Sequence, residues 1–352
     1  MSSSELRVVL VGCGGFARTY LPVYRALPGV RVVACIDTDV AAARALAGQL
    51  GADVASDDFS AATAATADYA VVSTPNFLHA AQAAALLRSG KHVLLQKPMT
   101  RTVAEAAELL AVQRGSGRRL GLYMSMLDFG LWWELREALR AHAPLGAITQ
   151  ISMRLGHTGG LAWSRQPENR WRFSREQTGG GAFIMLGVHY LHFARWLFGR
   201  RITRVLAQTA NLHCGRIEGE DICQFQGELE GGSFVQMSVA WNSQGEHVAL
   251  YGTEGSVVYL DNELLRVHGA KPWRTSHFDY ATPGQWQTFG GVVPPALDAA
   301  DNLYNQHRAF AEAIRAEQPL AVEATEGAWD LQVTEAVYGS AASGQWTEVR
   351  YV

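Results

Sequence analysis

Cysteine is scarce in this 352-residue chain: Cys13, Cys35, Cys214 and Cys223 are the only four, and none forms a CxxC pair. That spacing suits neither a disulfide scaffold nor a thiolate zinc site, and reduced, buried thiols in a cytoplasmic protein are expected. No apolar run approaches the roughly 20 residues needed to cross a bilayer. The opening Met1-Ser2-Ser3-Ser4-Glu5 lacks the basic and apolar regions of a secretory signal. Basic excess is also missing. A net charge of −3 gives no electrostatic case for nucleic acid. There is no Walker-type loop, nucleophile elbow, internal repeat or low-complexity segment. What remains is an ordinary globular composition, 48% apolar and 18% charged, in a chain long enough for two domains.

The first third alternates apolar strands with Ala-rich helices. Strands are expected at Val8–Val11, Val32–Ile36, Tyr69–Ser73, His92–Leu95 and Leu120–Tyr123, with helices over Asp39–Leu50, Phe77–Ser89 and Thr102–Arg114. This order means right-handed βαβ units and a parallel α/β sheet. The strands are apolar nearly throughout, as required when helices cover both faces. Beyond about residue 125 the pattern changes. A helix around Trp132–His142 is followed by strands at Ile148–Leu155, Val205–Leu212, Ile222–Leu229, Phe234–Trp241, Val248–Tyr251 and Val257–Leu260. Short Gly-bearing turns between several of them suit antiparallel hairpins. Helices are expected over Gly181–Phe198, Asp301–Ala316 and Thr325–Ala342. The expected division is residues 1–124 for the α/β domain and 125–352 for an α+β domain.

The run Leu6–Val11 ends on Gly12, turns through Gly14 and Gly15, and passes Phe16 into a helical segment. Glycine permits the turn and lets a pyrophosphate approach the main chain, while small Ala17 allows close packing of helix on strand. The helix start offers N–H groups to the phosphate. Asp37, twenty positions after Ala17, ends the second strand. A carboxylate there can bind both adenosine ribose hydroxyls and repel a 2′-phosphate, so NAD is expected ahead of NADP. Asp39 suits the cap of the next helix.

Two further stretches are more specific. They are Val71-Val72-Ser73-Thr74-Pro75-Asn76-Phe77-Leu78-His79 and Gly90-Lys91-His92-Val93-Leu94-Leu95-Gln96-Lys97-Pro98. With Gly179-Gly180-Gly181-Ala182-Phe183-Ile184-Met185-Leu186-Gly187-Val188-His189, they make the chain resemble the Gfo/Idh/MocA oxidoreductases. Weaker echoes are Trp171-Arg172, Glu220-Asp221 and Tyr338-Gly339. The resemblance implies a Rossmann domain followed by a large, mostly antiparallel open sheet, whose free face often joins subunits into homodimers or homotetramers. It also implies sugar, inositol or polyol substrates. Cofactor contacts would fall at Gly12, Gly14, Gly15, Phe16, Asp37, Thr74, Pro75, Asn76, His79, Gln96, Lys97, Trp171 and Arg172. By the same resemblance, Lys97 would orient the substrate and bind or relay the proton of the reacting oxygen.

Hydride exchange with a secondary alcohol also needs a group for the hydroxyl proton. His189 titrates in the right range, and its place in the resemblance selects it. As a helix, Ala182, Met185, His189, His192 and Trp196 would share one stripe. Met185 stands where most members of the family carry aspartate, and a thioether cannot take a proton. His192 is the expected substitute, with Tyr190 off the stripe. Gln96 replaces the usual Glu, and Tyr123-Met124-Ser125-Met126-Leu127-Asp128 departs from the family's Asn- and Arg-bearing pattern. These changes point to a less polar site, with Tyr123, Met124, Met126, Trp163 and Trp171 beside the apolar part of a glycoside or decorated sugar. His189-x-x-His192 has no third ligand at helpful spacing, so no metal is expected. An NAD-dependent glycosidase and a non-catalytic dinucleotide-binding regulator are the alternatives to a dehydrogenase.

Overall fold

The protein is described by a computed structural model covering residues 5–124, 130–141, 145–163, 167–261, 264–290 and 299–351. It divides into two compact units. The first comprises Met1–Asp128 with Asp298–Leu331, and the second Phe129–Leu297 with Gln332–Val352. A single boundary after residue 124 did not anticipate the late segment that returns to the first unit.

In the first unit β1 (Leu6–Val11), α1 (Tyr20–Ala26), β2 (Val30–Ile36), α2 (Val40–Leu50), β3 (Val54–Ser56) and α3 (Ser60–Ala64) form one half. The other half holds β4 (Tyr69–Val72), α4 (Asn76–Arg88), β5 (His92–Leu95), α5 (Val103–Ser116) and β6 (Leu120–Leu122). All six strands are parallel, in the order β3-β2-β1-β4-β5-β6. Val8, Val9, Leu10, Tyr69, Val72, Val93 and Leu95 are buried on both faces of the sheet. Each such side chain contributes about 1.5–3 kcal/mol of burial. The strand order reverses between β1 and β4, and a dinucleotide binds at such a switch point.

The second unit begins with α6 (Gly130–Arg140), β7 (Ile148–Gly156), α7 (Gly159–Trp163), α8 (Arg175–Thr178) and α9 (Val188–Phe198). There follow β8 (Ile202–Ala210), β9 (Ile222–Leu229), β10 (Phe234–Ala240), β11 (Gly245–Gly252), β12 (Gly255–Leu260) and β13 (Leu264–Gly269). β14 (Trp273–Arg274) and β15 (Asp279–Tyr280) form a small separate ribbon, and β16 (Gln287–Gly290) pairs with β13. The chain then runs through α10 (Ala299–Ala316), α11 (Ala324–Ser343) and β17 (Thr347–Glu348), with α10 in the first unit. The nine-stranded sheet is β16-β13-β12-β11-β7-β10-β9-β8-β17. It is antiparallel except at its centre, where β10 pairs in parallel with β7 from Phe234↔Gln150 to Ala240↔Gly156. Alternation is clear in β10, where Val235, Met237 and Val239 are buried and Phe234 and Gln236 exposed.

Candidate active site

At the end of β1, Gly12 takes φ +91° and donates its N–H to the Ile36 carbonyl at 2.8 Å. A Cβ there would lie 2.8 Å from the Ser73 backbone, so both the angle and the crossing of β4 demand glycine. Gly14 and Gly15 differ: a Cβ on either would meet nothing within 4 Å. They keep open a surface that a phosphate can approach closely. Ala17 is buried, while Phe16 is 46% exposed, its ring edge-on to Tyr20 and Tyr123 at centroid separations of 5.7 and 6.0 Å. Asp37 is engaged rather than free. Its Oδ2 accepts from Cys13 N at 2.6 Å and its Oδ1 from Asp39 N at 2.9 Å. Asp39 caps α2 by accepting from Ala41 N and Ala42 N. The Cys13 thiol is held protonated by a hydrogen bond with Cys35 and by burial, and all four cysteines are unbridged and buried.

The ends of β4 and β5 are tied by one buried side chain. His79 on α4 places Nδ1 2.8 Å from the Pro98 carbonyl oxygen and Nε2 2.8 Å from that of Thr74. Burial pushes its pKa down, the two carbonyls oppose this, and the nearby Lys97 charge adds to the lowering. Both ring nitrogens are therefore turned to the protein's own backbone, which makes His79 part of the frame around Lys97. Thr74 Oγ1 donates to Gln82 Oε1 at 2.7 Å, and Pro75 leads into Asn76, buried at the start of α4. Gln96 is buried and donates from Nε2 to the Tyr20 hydroxyl at 3.3 Å. Lys97 follows β5, half-buried, with a cis peptide to Pro98.

Behind Phe16 lies a cluster that sequence reasoning missed. Tyr20, Tyr24 and Tyr123 surround His307 of α10, with ring centroids 4.9, 5.3 and 6.5 Å from it. The Tyr24 hydroxyl lies 2.8 Å from His307 Nδ1. Burial alone pushes the His307 pKa down to about 3. Gln306 donates to the Met124 carbonyl at 2.8 Å and accepts from Met124 N at 2.9 Å. Met124 is thus a buried latch point, and Ser125, Met126, Leu127 and Asp128 lie outside the described residues.

In the second unit Gly179 ends α8 in the left-handed region. The following helix is not the continuous α-helix expected over Gly181–Phe198. It opens with a π turn over Phe183–Gly187 before α9 begins. Such a turn inserts a residue into the helical register and occurs frequently at functional sites. Met185 is buried at 7% exposure, His189 is half-buried and His192 is buried. Tyr190 points elsewhere, its hydroxyl donating to the Glu246 carboxylate. Trp196, at the end of the expected stripe, packs edge-on to Trp133 at 4.7 Å and lies under the Arg136 guanidinium. Trp163, Trp171 and Arg172 come together. The Arg172 guanidinium sits 4.9 Å from the Trp163 ring and 4.6 Å from the Trp171 ring. Burial lowers its pKa, and its Nε has no hydrogen-bond partner among the described residues. Trp163 is further walled by His157 and Trp241. Among the described residues no group of three or more His, Cys, Asp or Glu could hold a metal ion, and no helix is long and apolar enough to cross a membrane.

Residues 6–124 match the oxidoreductase family with an NAD-binding Rossmann fold, and residues 132–258 match the GFO/IDH/MocA C-terminal domain. The chain belongs to the Gfo/Idh/MocA family. It is 26% identical to 1,5-anhydro-D-fructose reductase of Ensifer adhaerens, over 80% of each chain. The fold is shared with the aldose-aldose oxidoreductase of Caulobacter crescentus, at TM-score 0.83 and 23% identity over 98% of this chain and 99% of that one. It is shared equally with GenD2 of gentamicin A biosynthesis, solved with NAD, at TM-score 0.83 and 24% identity over 99% and 97%. As a family member the protein is an NAD-binding oxidoreductase acting on CH–OH groups. The cradle fits that cofactor: open glycines, a left-handed Gly12 and the half-exposed carboxylate of Asp37 stand together at the switch point of the sheet.

Proposed function

We propose that the enzyme exchanges hydride between nicotinamide and a secondary alcohol or ketone on a sugar, polyol or glycosylated metabolite, with Lys97 and His189 handling the proton of the reacting oxygen. NAD supplies the hydride acceptor or donor. Gly14, Gly15 and Phe16 would border its pyrophosphate, and Asp37 would take the adenosine ribose hydroxyls with its remaining lone pairs. Thr74, Pro75, Asn76 and Gln96 would line the next stretch, and Trp171 and Arg172 the nicotinamide half. Lys97 would hold the substrate oxygen from the end of β5, its backbone fixed through Pro98 by His79. His189 would give or take the proton, with His192 as the substitute where the family aspartate is missing.

Met185 supports a substrate with an apolar portion. Its buried thioether fills space without accepting a proton, and Trp163 of the same unit would add to an apolar wall. Glycosides and sugars on larger metabolites fit better than free, fully hydroxylated sugars. The uncovered face of the nine-stranded sheet exposes Phe234, Tyr251 and Leu264, and we assign it to self-association.

The observation that carries this reading is Lys97, half-buried beside the cradle in a frame built by His79. In a panel of alkyl glucosides, anhydro-sugars and keto-sugars followed by nicotinamide absorbance, one class should turn over. Lys97→Ala should then lower kcat at least about 100-fold, with NADH affinity unchanged within about threefold. Turnover that survives the substitution would remove Lys97 from the chemistry.

A further inference from the structure

The segment between β8 and β9, residues 211–221, is closed on itself by two side chains. Asn211 Nδ2 donates to the carbonyls of Cys214, Ile217 and Gly219 at 3.2, 2.6 and 3.0 Å. The Asp221 carboxylate accepts from Leu212 N, His213 N and Cys214 N at 3.0, 2.7 and 2.9 Å. Burial would raise the Asp221 pKa, but those N–H groups together hold it below the ordinary carboxylate value. The loop is thus a rigid mount, and what it presents is Glu220.

Glu220 is 8% exposed. Its Oε2 accepts from Gly181 N at 3.0 Å, and its Oε1 from Phe183 N at 2.8 Å and from the Tyr338 hydroxyl at 3.0 Å. Its own carbonyl accepts from Ala182 N at 2.8 Å. Three successive N–H groups at the start of the π turn are therefore satisfied by one residue. A carboxylate at a helix start is favoured by the helix dipole. A buried one persists because its lone pairs are filled. Tyr338 of α11 closes the arrangement and also accepts from Ile184 N at 3.4 Å. The glycines follow from this geometry. A Cβ on Gly180 would overlap the Tyr338 hydroxyl, one on Gly181 would overlap the Glu220 backbone, and one on Gly219 would fall 2.6 Å from Gly181 Cα.

The same loop grips the aromatic wall. Glu218 N donates to the Phe173 carbonyl at 2.8 Å, and Arg175 N donates to Glu218 Oε2 at 2.9 Å, directly after Trp171 and Arg172. Cys214 lies against Gly160 of α7, where a Cβ would be 3.1 Å from its sulfur. One mount thus touches the start of the His189 helix, Phe173 and Arg175 just beyond Trp171–Arg172, and Gly160 of the helix that carries Trp163.

We propose that Glu220 is a positioning residue, which holds the π turn and so sets the His189 imidazole relative to the Trp163–Arg172–Trp171 stack. This rests on the reading of His189 as the proton-handling group. Loss of the cap would free Gly181 N and Phe183 N, and relaxation of the π turn to α geometry would rotate Met185 relative to His189.

The test follows the His189 imidazole by NMR in the intact chain saturated with NADH, with the unfolding midpoint and NADH affinity measured alongside. In Glu220→Ala the His189 resonance should move, and its titration midpoint should shift by about half a pH unit or more. Glu220→Gln, whose single amide oxygen can still accept from Phe183 N and the Tyr338 hydroxyl but not also from Gly181 N, should return both part of the way toward the native values. NADH affinity should stay within about twofold in either variant. A folded Glu220→Ala with native His189 resonance and midpoint overturns the proposal. Should that variant not fold, Tyr338→Phe, which removes only the closing hydroxyl, carries the same two outcomes. His189→Ala separates the readings: turnover that survives it removes His189 from the chemistry, while the response of the resonance to Glu220 is decided independently.

Discussion

At Gly14 and Gly15 an added Cβ would enter open space, whereas at Gly180 and Gly181 it would overlap a tyrosine hydroxyl and a glutamate backbone. Both turns are nonetheless tied by a carboxylate that accepts backbone N–H groups, Asp37 in the first and Glu220 in the second. Asp37 is half-exposed, with lone pairs left for a ligand, and Glu220 is buried and closed by Tyr338. The first turn leaves the space at its glycines open. The second spends them on packing its own chain. A glycine motif thus reports either ligand access or internal closure, and only the surroundings say which.

The largest effect should come from filling the closed turn. Gly181→Ala should cost about 3 kcal/mol of stability, because backbone must move to admit the methyl group, and a urea midpoint would read it. A loss below about 1 kcal/mol would break the comparison. The next effect belongs to the cluster behind the first turn. Unfolded His307 binds a proton near pH 6.5, while the folded residue resists until about pH 3. Unfolding therefore takes up a proton in this window, and stability falls as pH drops from about 6.5 toward 3. The loss between pH 7 and pH 5 should be about 2 kcal/mol, and His307→Phe should remove that part of the slope. Gly14→Val should leave stability within about 0.5 kcal/mol of native. NADH affinity in the same variant should fall about tenfold, or 1.4 kcal/mol. Smallest is the response of Asp37→Ser, which should weaken NAD binding about fivefold, roughly 1 kcal/mol, while narrowing the gap to NADP. Preference for NADP before the exchange would remove the ribose role of Asp37.

The Rossmann half was legible because strands covered on both faces are apolar throughout, as in Val8–Val11 and Val93–Leu95, and because Asp37 ends β2 twenty positions after Ala17. Short edge elements escaped. β3 has three residues with none buried, and α3 is five residues of small side chains. The parallel pairing of β7 with β10 joins segments about 80 residues apart, and nothing local in either strand announces its partner. In the candidate site, Lys97 and His189 stand out in the sequence through their motifs rather than through periodicity. The π turn does not, since Phe183–Gly187 fits an α-helical pattern equally well until Glu220 and Tyr338 are known to sit at its start. Glu220-Asp221 and Tyr338-Gly339 are only faint echoes in the sequence, and their contacts depend on distances that no spacing conveys. His307 and Gln306 gave no signal at all, because an amphipathic helix does not declare which core it will join.

That return of α10 bears on how the protein is made. Met124 and its latch Gln306 are separated by 182 residues. At roughly 5–20 residues per second, a ribosome needs on the order of 10–40 s to supply the second after the first. Throughout that interval Tyr20, Tyr24 and Tyr123 are without the histidine that packs among them, so the nascent nucleotide-binding unit carries an uncovered aromatic surface. Its completion must wait for nearly all of the other unit to be synthesised.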